Sequence, residues 1–152
     1  MATTRTATTR RADATWRGSL LEGSGVVRAS SSAAFGDLPV SWAARTEEPN
    51  GKTSPEELVA AAQAACFSMA LSSRLAKAGH PADELRVNAT VTFEKLDAGW
   101  RLTSSALTVR GRVPGMDEGA FDAEADAAKD GCPISQALAG TVVLSVDAAL
   151  ES

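Results

Sequence analysis

The chain has 152 residues, of which 44% are hydrophobic and 22% charged, a composition that fits a globular protein with its own core. Its formal net charge of −4 argues against nucleic acid or an anionic membrane surface as a partner. The sequence also predicts no membrane span, because no apolar stretch approaches the roughly 20 residues that such a helix needs.

Residues 1–14 carry three arginines among threonines and alanines and lack the apolar segment of a secretory signal. A transit peptide is compatible with this composition, but we interpret the segment as a flexible N-terminal tail, followed by a single domain over residues 15–152. Two cysteines without a secretory signal indicate a reducing, cytoplasmic environment, where thiols serve chemistry, metal binding or packing.

Short strands come first in the predicted order of elements. Residues 15–20 and 26–29 form a predicted hairpin around a Gly-rich turn, and residues 39–44 form a third strand. A long helix follows over residues 52–77. Ser54 suits its N-cap, and Gly79 suits its end.

The second half of the chain alternates apolar and polar residues over 85–93 and again over 100–113, which predicts two long strands joined by a turn. A helix over 117–129, a short helix to residue 138 and a last strand over 141–150 complete the chain. This order predicts an α+β fold with antiparallel sheets.

The long helix contains no charged residue between Val59 and Leu71. It therefore lacks the polar face of an ordinary surface helix and must be buried nearly all round. Either sheets wrap it or a second copy of the chain covers it, and the second case implies a homodimer.

Cys66 lies in this uncharged segment. It could be a small core residue, since burial raises the pKa of a thiol and makes it inert. Reactivity requires a cation nearby. His80, the one histidine, lies beyond the helix, so Arg45 is the candidate, with Glu56 or Glu57 as the carboxylate that a buried arginine needs.

Glu56 and Cys66 are ten residues apart, or about 15 Å along a helix, so their side chains cannot meet directly. A long arginine could span part of that gap, or the carboxylate could come from a partner subunit. We predict a site at a dimer interface, built from both chains.

Cys132 precedes Pro133 and a short helix, where backbone N–H groups would favour a thiolate. The alternative is a buried cysteine at a tight turn. No metal site is expected, because two cysteines and one histidine fall short of four ligands. Hydrolase and phosphate-binding motifs are also absent.

Two segments carry a family resemblance. Residues 53–58 running into Ala64-Ala65-Cys66-Phe67-Ser68-Met69-Ala70-Leu71, together with Cys132-Pro133-Ile134-Ser135-Gln136-Ala137-Leu138, resemble the OsmC/Ohr family, and the OsmC branch in particular. The resemblance covers about residues 16–150. Gln63 departs from the pattern, since OsmC members often have histidine there.

The resemblance implies an OsmC-like fold, with antiparallel sheets around a central buried helix in an intertwined homodimer. It also implies a thiol peroxidase that reduces organic hydroperoxides and needs no cofactor. Cys66 matches the peroxidatic cysteine, Cys132 the resolving cysteine, Arg45 the activating arginine and Glu56 its carboxylate. The expected partners are a hydroperoxide and a dithiol reductant, which in this family is often lipoyl-linked.

Two other functions remain open from the sequence. One is a non-catalytic dimeric binding domain in which both thiols are packing residues. The other is a redox sensor that signals through a disulfide between Cys66 and Cys132.

Overall fold

The computed structural model of the protein describes residues 5–151, so the first four residues of the predicted tail lie outside it. The chain divides into two compact units, one up to Pro55 and the other from Glu56 onward. The single domain expected over residues 15–152 stays a prediction.

A three-stranded antiparallel sheet forms most of the first unit, in the order β1 (Ala12–Arg17), β2 (Ser24–Ala29) and β3 (Leu38–Val40). The predicted tail is therefore too long, because the pairing of β1 with β2 continues as far as Ala12 opposite Ala29. Residues 12–14 belong to the sheet.

The turn after β1 begins earlier than the sequence predicts. Gly18 has a φ of +93°, a conformation that glycine adopts at little cost and that ends the extended strand. The indole N–H of Trp16 donates to the carbonyl oxygen of Gly18 at 3.1 Å and helps to fix this bend.

The predicted third strand, 39–44, is correct only at its start. After β3 the chain enters a short helix, α1 (Trp42–Thr46), whose N-cap is Ser41. The hydroxyl oxygen of Ser41 accepts a hydrogen bond from the N–H of Ala44 at 3.1 Å. This cap supports a helical turn where the apolar residues predicted a strand.

The long helix α2 (Pro55–Lys77) ends where the sequence predicts. The N–H of Gly79 donates to the oxygen of Ala76 at 3.0 Å, and the N–H of His80 donates to the oxygen of Leu75 at 2.9 Å. With Gly79 at a φ of +86°, these bonds form a Schellman motif that satisfies carbonyls at the helix end.

The second unit contains a sheet in the order β4 (Glu84–Leu96), β5 (Gly99–Arg112) and β6 (Val143–Leu150). β4 and β5 pair antiparallel, as predicted, whereas β5 and β6 pair parallel. The antiparallel expectation is therefore wrong for β6. A parallel neighbour requires a long crossover connection, which the helices between β5 and β6 supply.

Those helices are α3 (Glu118–Gly131) and α4 (Pro133–Leu138). One stripe of α2 packs with α3 and with the inner face of β5 to form the core. Its buried apolar members are Phe67, Leu71, Leu75, Leu107, Val109, Val113, Phe121, Ala125, Ala128 and Cys132.

The opposite face of α2 is exposed in the single chain, and Met69 on it is 71% exposed. In the single chain the helix is therefore not buried all round, which differs from the burial that its uncharged sequence predicts. By length and composition alone α2 could cross a membrane, so the expectation that no apolar stretch is long enough is wrong. Its packing on β5 and α3 is that of a core helix.

Candidate active site

Cys66 lies near the middle of α2 and is half-buried against the core. Its neighbour Phe67 is fully buried and so is Gln63, one turn earlier. The thiol therefore lies at the margin of the buried stripe, where it is packed on one side without being sealed from its surroundings.

Cys132 is fully buried at the junction of two helices. Its N–H still donates to the oxygen of Ala128 in α3 at 2.9 Å, while its own backbone is extended and serves as the N-cap of α4. Pro133 explains this break, because a proline disfavours helical backbone in the residue before it and is well suited to start a helix.

The fold brings the two cysteines together. The thiol of Cys66 interacts with the sulfur of Cys132 as a hydrogen-bond donor, and both thiols are free. Residues far apart in the sequence thus form one dithiol pair between α2 and the start of α4.

The pKa values of the two thiols are shifted in opposite directions. Burial raises the pKa of Cys66, and the hydrogen bond to Cys132 raises it further, while the N–H of Ile134 partly offsets both effects. The lowered pKa expected for Cys66 is therefore not found in the reduced pair.

Cys132 has the opposite shift. Burial alone would raise the pKa of Cys132, but interactions with the Cys66 thiol, with the N–H and hydroxyl of Ser135 and with the N–H of Ile134 lower it below its ordinary value. The sulfur makes no close capping bond to α4, so these N–H groups act on it at longer range.

Arg45, the predicted activating residue, belongs to α1 in the first unit. Its guanidinium lies over the ring of Trp42, 5.7 Å from the ring centroid. It also lines a cleft of about 280 Å³ whose other walls are mainly apolar, formed by Trp16, Leu20, Val40, Ser41, Trp42 and Pro55. Its action on Cys66 stays a prediction.

Glu56 and Glu57, the two candidate carboxylates, lie in the first turn of α2. Glu56 is 8% exposed, whereas Glu57 is exposed. A buried carboxylate requires a partner more strongly than an exposed one does, which favours Glu56 for the predicted role. Its pairing with Arg45 stays a prediction.

Sequence reasoning missed two polar residues behind the thiols. Ser105 and Ser135 are fully buried, and both hydrogen-bond to the side chain of Gln63. The alternation of β5 carries a signal for Ser105, since that residue lies on the same strand face as Leu107 and Val109. Gln63 stood out only as a departure from a family pattern.

Within residues 5–151, no group of three or more His, Cys, Asp or Glu side chains is arranged to hold a metal ion.

Comparison with known proteins now identifies the chain. Residues 48–147 match the model of the family described as OsmC-like protein. The chain belongs to the OsmC-like family. The match includes Glu56, Cys66 and Cys132, and Arg45 lies just before it. The resemblance found in the sequence is thereby confirmed.

Similar proteins agree with this assignment. The chain is 40% identical to the Peroxiredoxin OsmC of Escherichia coli (strain K12) over 135 residues, which is 89% of this chain and 93% of that protein. An organic hydroperoxide resistance protein from Elizabethkingia anophelis superposes with a TM-score of 0.76 at 23% identity, covering 97% of this chain and all of the other.

OhrB of Bacillus subtilis, an organic hydroperoxide resistance protein, superposes with a TM-score of 0.70 at 24% identity, covering 91% of this chain and 98% of the other. At these identities the two structures show the fold alone. The α+β, OsmC-like fold predicted from the sequence is thus confirmed.

Proposed function

We propose that this OsmC-like protein reduces organic hydroperoxides to alcohols, with Cys66 as the peroxidatic and Cys132 as the resolving cysteine. The observation that carries the proposal is the hydrogen-bonded pair of free thiols. Family membership and the 40% identity to a peroxiredoxin over most of the chain make it a cysteine-based peroxidase.

In the first step, the thiolate of Cys66 attacks the distal oxygen of the hydroperoxide ROOH. The O–O bond breaks, the sulfur becomes a sulfenic acid, and the alkoxide leaves and takes a proton to become ROH. Arg45, held by Glu56, supplies the positive charge that favours the Cys66 thiolate and steadies the leaving alkoxide.

In the second step, Cys132 attacks the sulfenic sulfur of Cys66. The S–O bond breaks, water leaves, and an intrachain disulfide forms. The lowered pKa of Cys132 supports this role, because the attacking group must be a thiolate.

A dithiol must then reduce the disulfide by exchange, which returns both thiols and oxidises the reductant. The family resemblance suggests a lipoyl-linked dithiol as this reductant. Two free cysteines agree with a reducing compartment, and we place the protein in the cytoplasm.

We further propose an intertwined homodimer, with a site to which both chains contribute. The support is the exposed face of α2, which is uncharged from Val59 to Leu71 and carries Met69. A second copy of the chain would cover a face that is costly to leave in water.

The test is oxidation of the reduced protein with one equivalent of an alkyl hydroperoxide. Both thiols should be consumed and a Cys66–Cys132 disulfide should form. The Cys66→Ser variant should lose all activity, and Cys132→Ser should accumulate a sulfenic acid that a dimedone-type probe traps. If both thiols remain titratable after treatment, the enzyme proposal fails and the binding-domain alternative stands.

The sensor alternative needs a separate measurement. Steady-state turnover is measured with an alkyl hydroperoxide, using dihydrolipoamide and thioredoxin as competing reductants. Repeated turnover supports an enzyme. A single oxidation with no turnover by either dithiol supports a sensor.

A further inference from the structure

Behind the dithiol pair, three fully buried polar side chains form a continuous chain of hydrogen bonds. The hydroxyl of Ser105 on β5 donates to Oε1 of Gln63 on α2. Nε2 of Gln63 donates to the hydroxyl oxygen of Ser135 on α4 at 3.2 Å. Ser135 lies in the first turn of α4, three residues after its N-cap Cys132, and both side chains are fully buried. The Ser135 hydroxyl is one of the groups that lower the pKa of Cys132.

The hydrogen bonds between Ser105, Gln63 and Ser135 run in one direction. An amide oxygen only accepts and an amide nitrogen only donates, so Ser105 must give its hydrogen to Gln63. Because the oxygen of Ser135 receives a hydrogen from Gln63, its own hydrogen is left to donate onward. The next group along is the sulfur of Cys132.

The arrangement is costly unless it is complete. An amide and two hydroxyls are placed among the apolar side chains of the core, and each would lose its hydrogen bonds to water without replacement if it were left without a partner. Among the described residues no buried side-chain nitrogen or oxygen lacks a partner. The core therefore holds these groups in one arrangement.

We propose that Ser105, Gln63 and Ser135 form a positioning relay that aims the Ser135 hydroxyl at the sulfur of Cys132 and so accelerates disulfide formation. The inference rests on the proposed function, since it assigns the relay to the resolving step. All three residues are fully buried and so have no surface that an incoming peroxide could reach. They act through Cys132.

The chemistry that the relay assists is the second step. Cys132 as a thiolate gains a bond to the sulfenic sulfur of Cys66, and hydroxide leaves with a proton as water. A hydroxyl that donates to the Cys132 sulfur stabilises the thiolate and holds it in position, so a larger fraction of molecules can react at neutral pH.

Few charges compete with this effect. Among the described residues of the elements next to Cys132, α2 presents the Cys66 thiol, and near the end of α3 Lys129 forms ion pairs with Asp126 and Asp130. α4 carries no charge, and Asp147 of β6 pairs with Arg110 on the exposed side.

The test separates the two steps in rapid mixing with one equivalent of an alkyl hydroperoxide. The Ser135→Ala and Gln63→Met variants should form the Cys66 sulfenic acid at the parent rate. Both should then close the disulfide about tenfold more slowly at neutral pH, with the pH profile of this step moved upward. Ser135→Thr, which keeps the hydroxyl, should restore the parent profile.

Ser104→Ala is the matched control, since Ser104 is the neighbour of Ser105 on the opposite face of β5 and outside the relay. It should resolve like the parent. A Ser135→Ala variant that closes its disulfide with the parent's rate and pH profile would overturn the relay. Slowing by the same factor at every pH would also overturn it, because that pattern indicates a structural defect.

A peroxide-independent measurement keeps this proposal distinct from the proposed function. In a Cys66→Ala background, the pH dependence of Cys132 alkylation should move upward when Ser135 becomes alanine. If the parent forms no sulfenic acid but this shift is present, the peroxidase proposal fails while the relay still acts on Cys132. If the shift is absent, the relay fails even in an active peroxidase.

Discussion

The paired thiols of Cys66 and Cys132 shift each other's pKa in opposite directions, upward for Cys66 and downward for Cys132, so the two cysteines titrate as a coupled pair. This polarity prepares the second step of the proposed reaction, in which Cys132 attacks. The first step needs the opposite polarity, with the charge on Cys66. A cation near Cys66 is what would reverse it, and this is the role proposed for Arg45.

This coupling predicts that each cysteine changes the pKa of the other. Cys66→Ala removes a donor that lowers the pKa of Cys132, so that pKa should rise. Cys132→Ala removes the group whose hydrogen bond and charge raise the pKa of Cys66, so that pKa should fall. Alkylation rates against pH, read by mass spectrometry on each single-cysteine variant and on the parent, measure both shifts.

The control is the same titration in denaturant, where both thiols should have ordinary pKa values near 8.5. Folded single-cysteine variants that titrate like the same cysteines in the parent would show that the thiols do not interact.

The end of α2 gives a stability prediction. Gly79 has a φ of +86°, so Gly79→Ala should cost about 1–2 kcal/mol of unfolding free energy, because a side chain disfavours the left-handed conformation. Gly119 is exposed within α3, and a Cβ there meets nothing closer than 3.5 Å. Gly119→Ala should therefore be neutral or stabilise by up to roughly 1 kcal/mol.

Chemical denaturation of the two variants and the parent measures the difference. Equal free energies for Gly79→Ala and the parent would mean that the Schellman motif is not maintained in solution.

The sequence predicts best the features that depend on neighbouring residues. The end of α2 follows from Gly79, and the start of α4 follows from Pro133, because both residues restrict their own backbone or that of the preceding residue. The long β4 and β5 follow from their alternating pattern. The family motifs likewise direct attention to Cys66 and Cys132, whose catalytic roles stay predictions.

Features set by distant parts of the chain could not be predicted in this way. The parallel pairing of β6 depends on the path of α3 and α4, which alternation within β6 does not specify. The lowering of the pKa of Cys132 depends partly on Ser135 and Ile134 and on the Cys66 thiol. These groups come together only when α4 packs against α2. The role of Gln63 likewise requires knowing what lies opposite it.

The exposed face of α2 predicts a weakened dimer when a charge is placed on it. Ala65 is exposed in the uncharged part of the helix, so Ala65→Lys should bury an unpaired charge in the proposed interface, at a cost of several kcal/mol. Sedimentation at micromolar concentration should give a dimer for the parent and a monomer for this variant.

Ala76→Lys is the matched control. Ala76 is exposed on about the same side of the helix but lies among the charged residues Arg74 and Lys77, so a further lysine should leave the dimer intact. A stable monomer of the parent would refute both the dimer and the two-chain site.

Arg45 is predicted to act on the first step alone. Arg45→Ala should raise the pKa of Cys66 and slow sulfenic acid formation by roughly 10²–10³-fold, the scale expected when a group that stabilises a developing oxyanion is removed. The pKa is read from Cys66 alkylation in a Cys132→Ala background. Arg28→Ala, which removes a surface arginine paired with Asp37, should change neither quantity. An alkylation profile of Cys66 that is the same with and without Arg45 would remove this residue from the site and leave the reversal of thiol polarity to another cation.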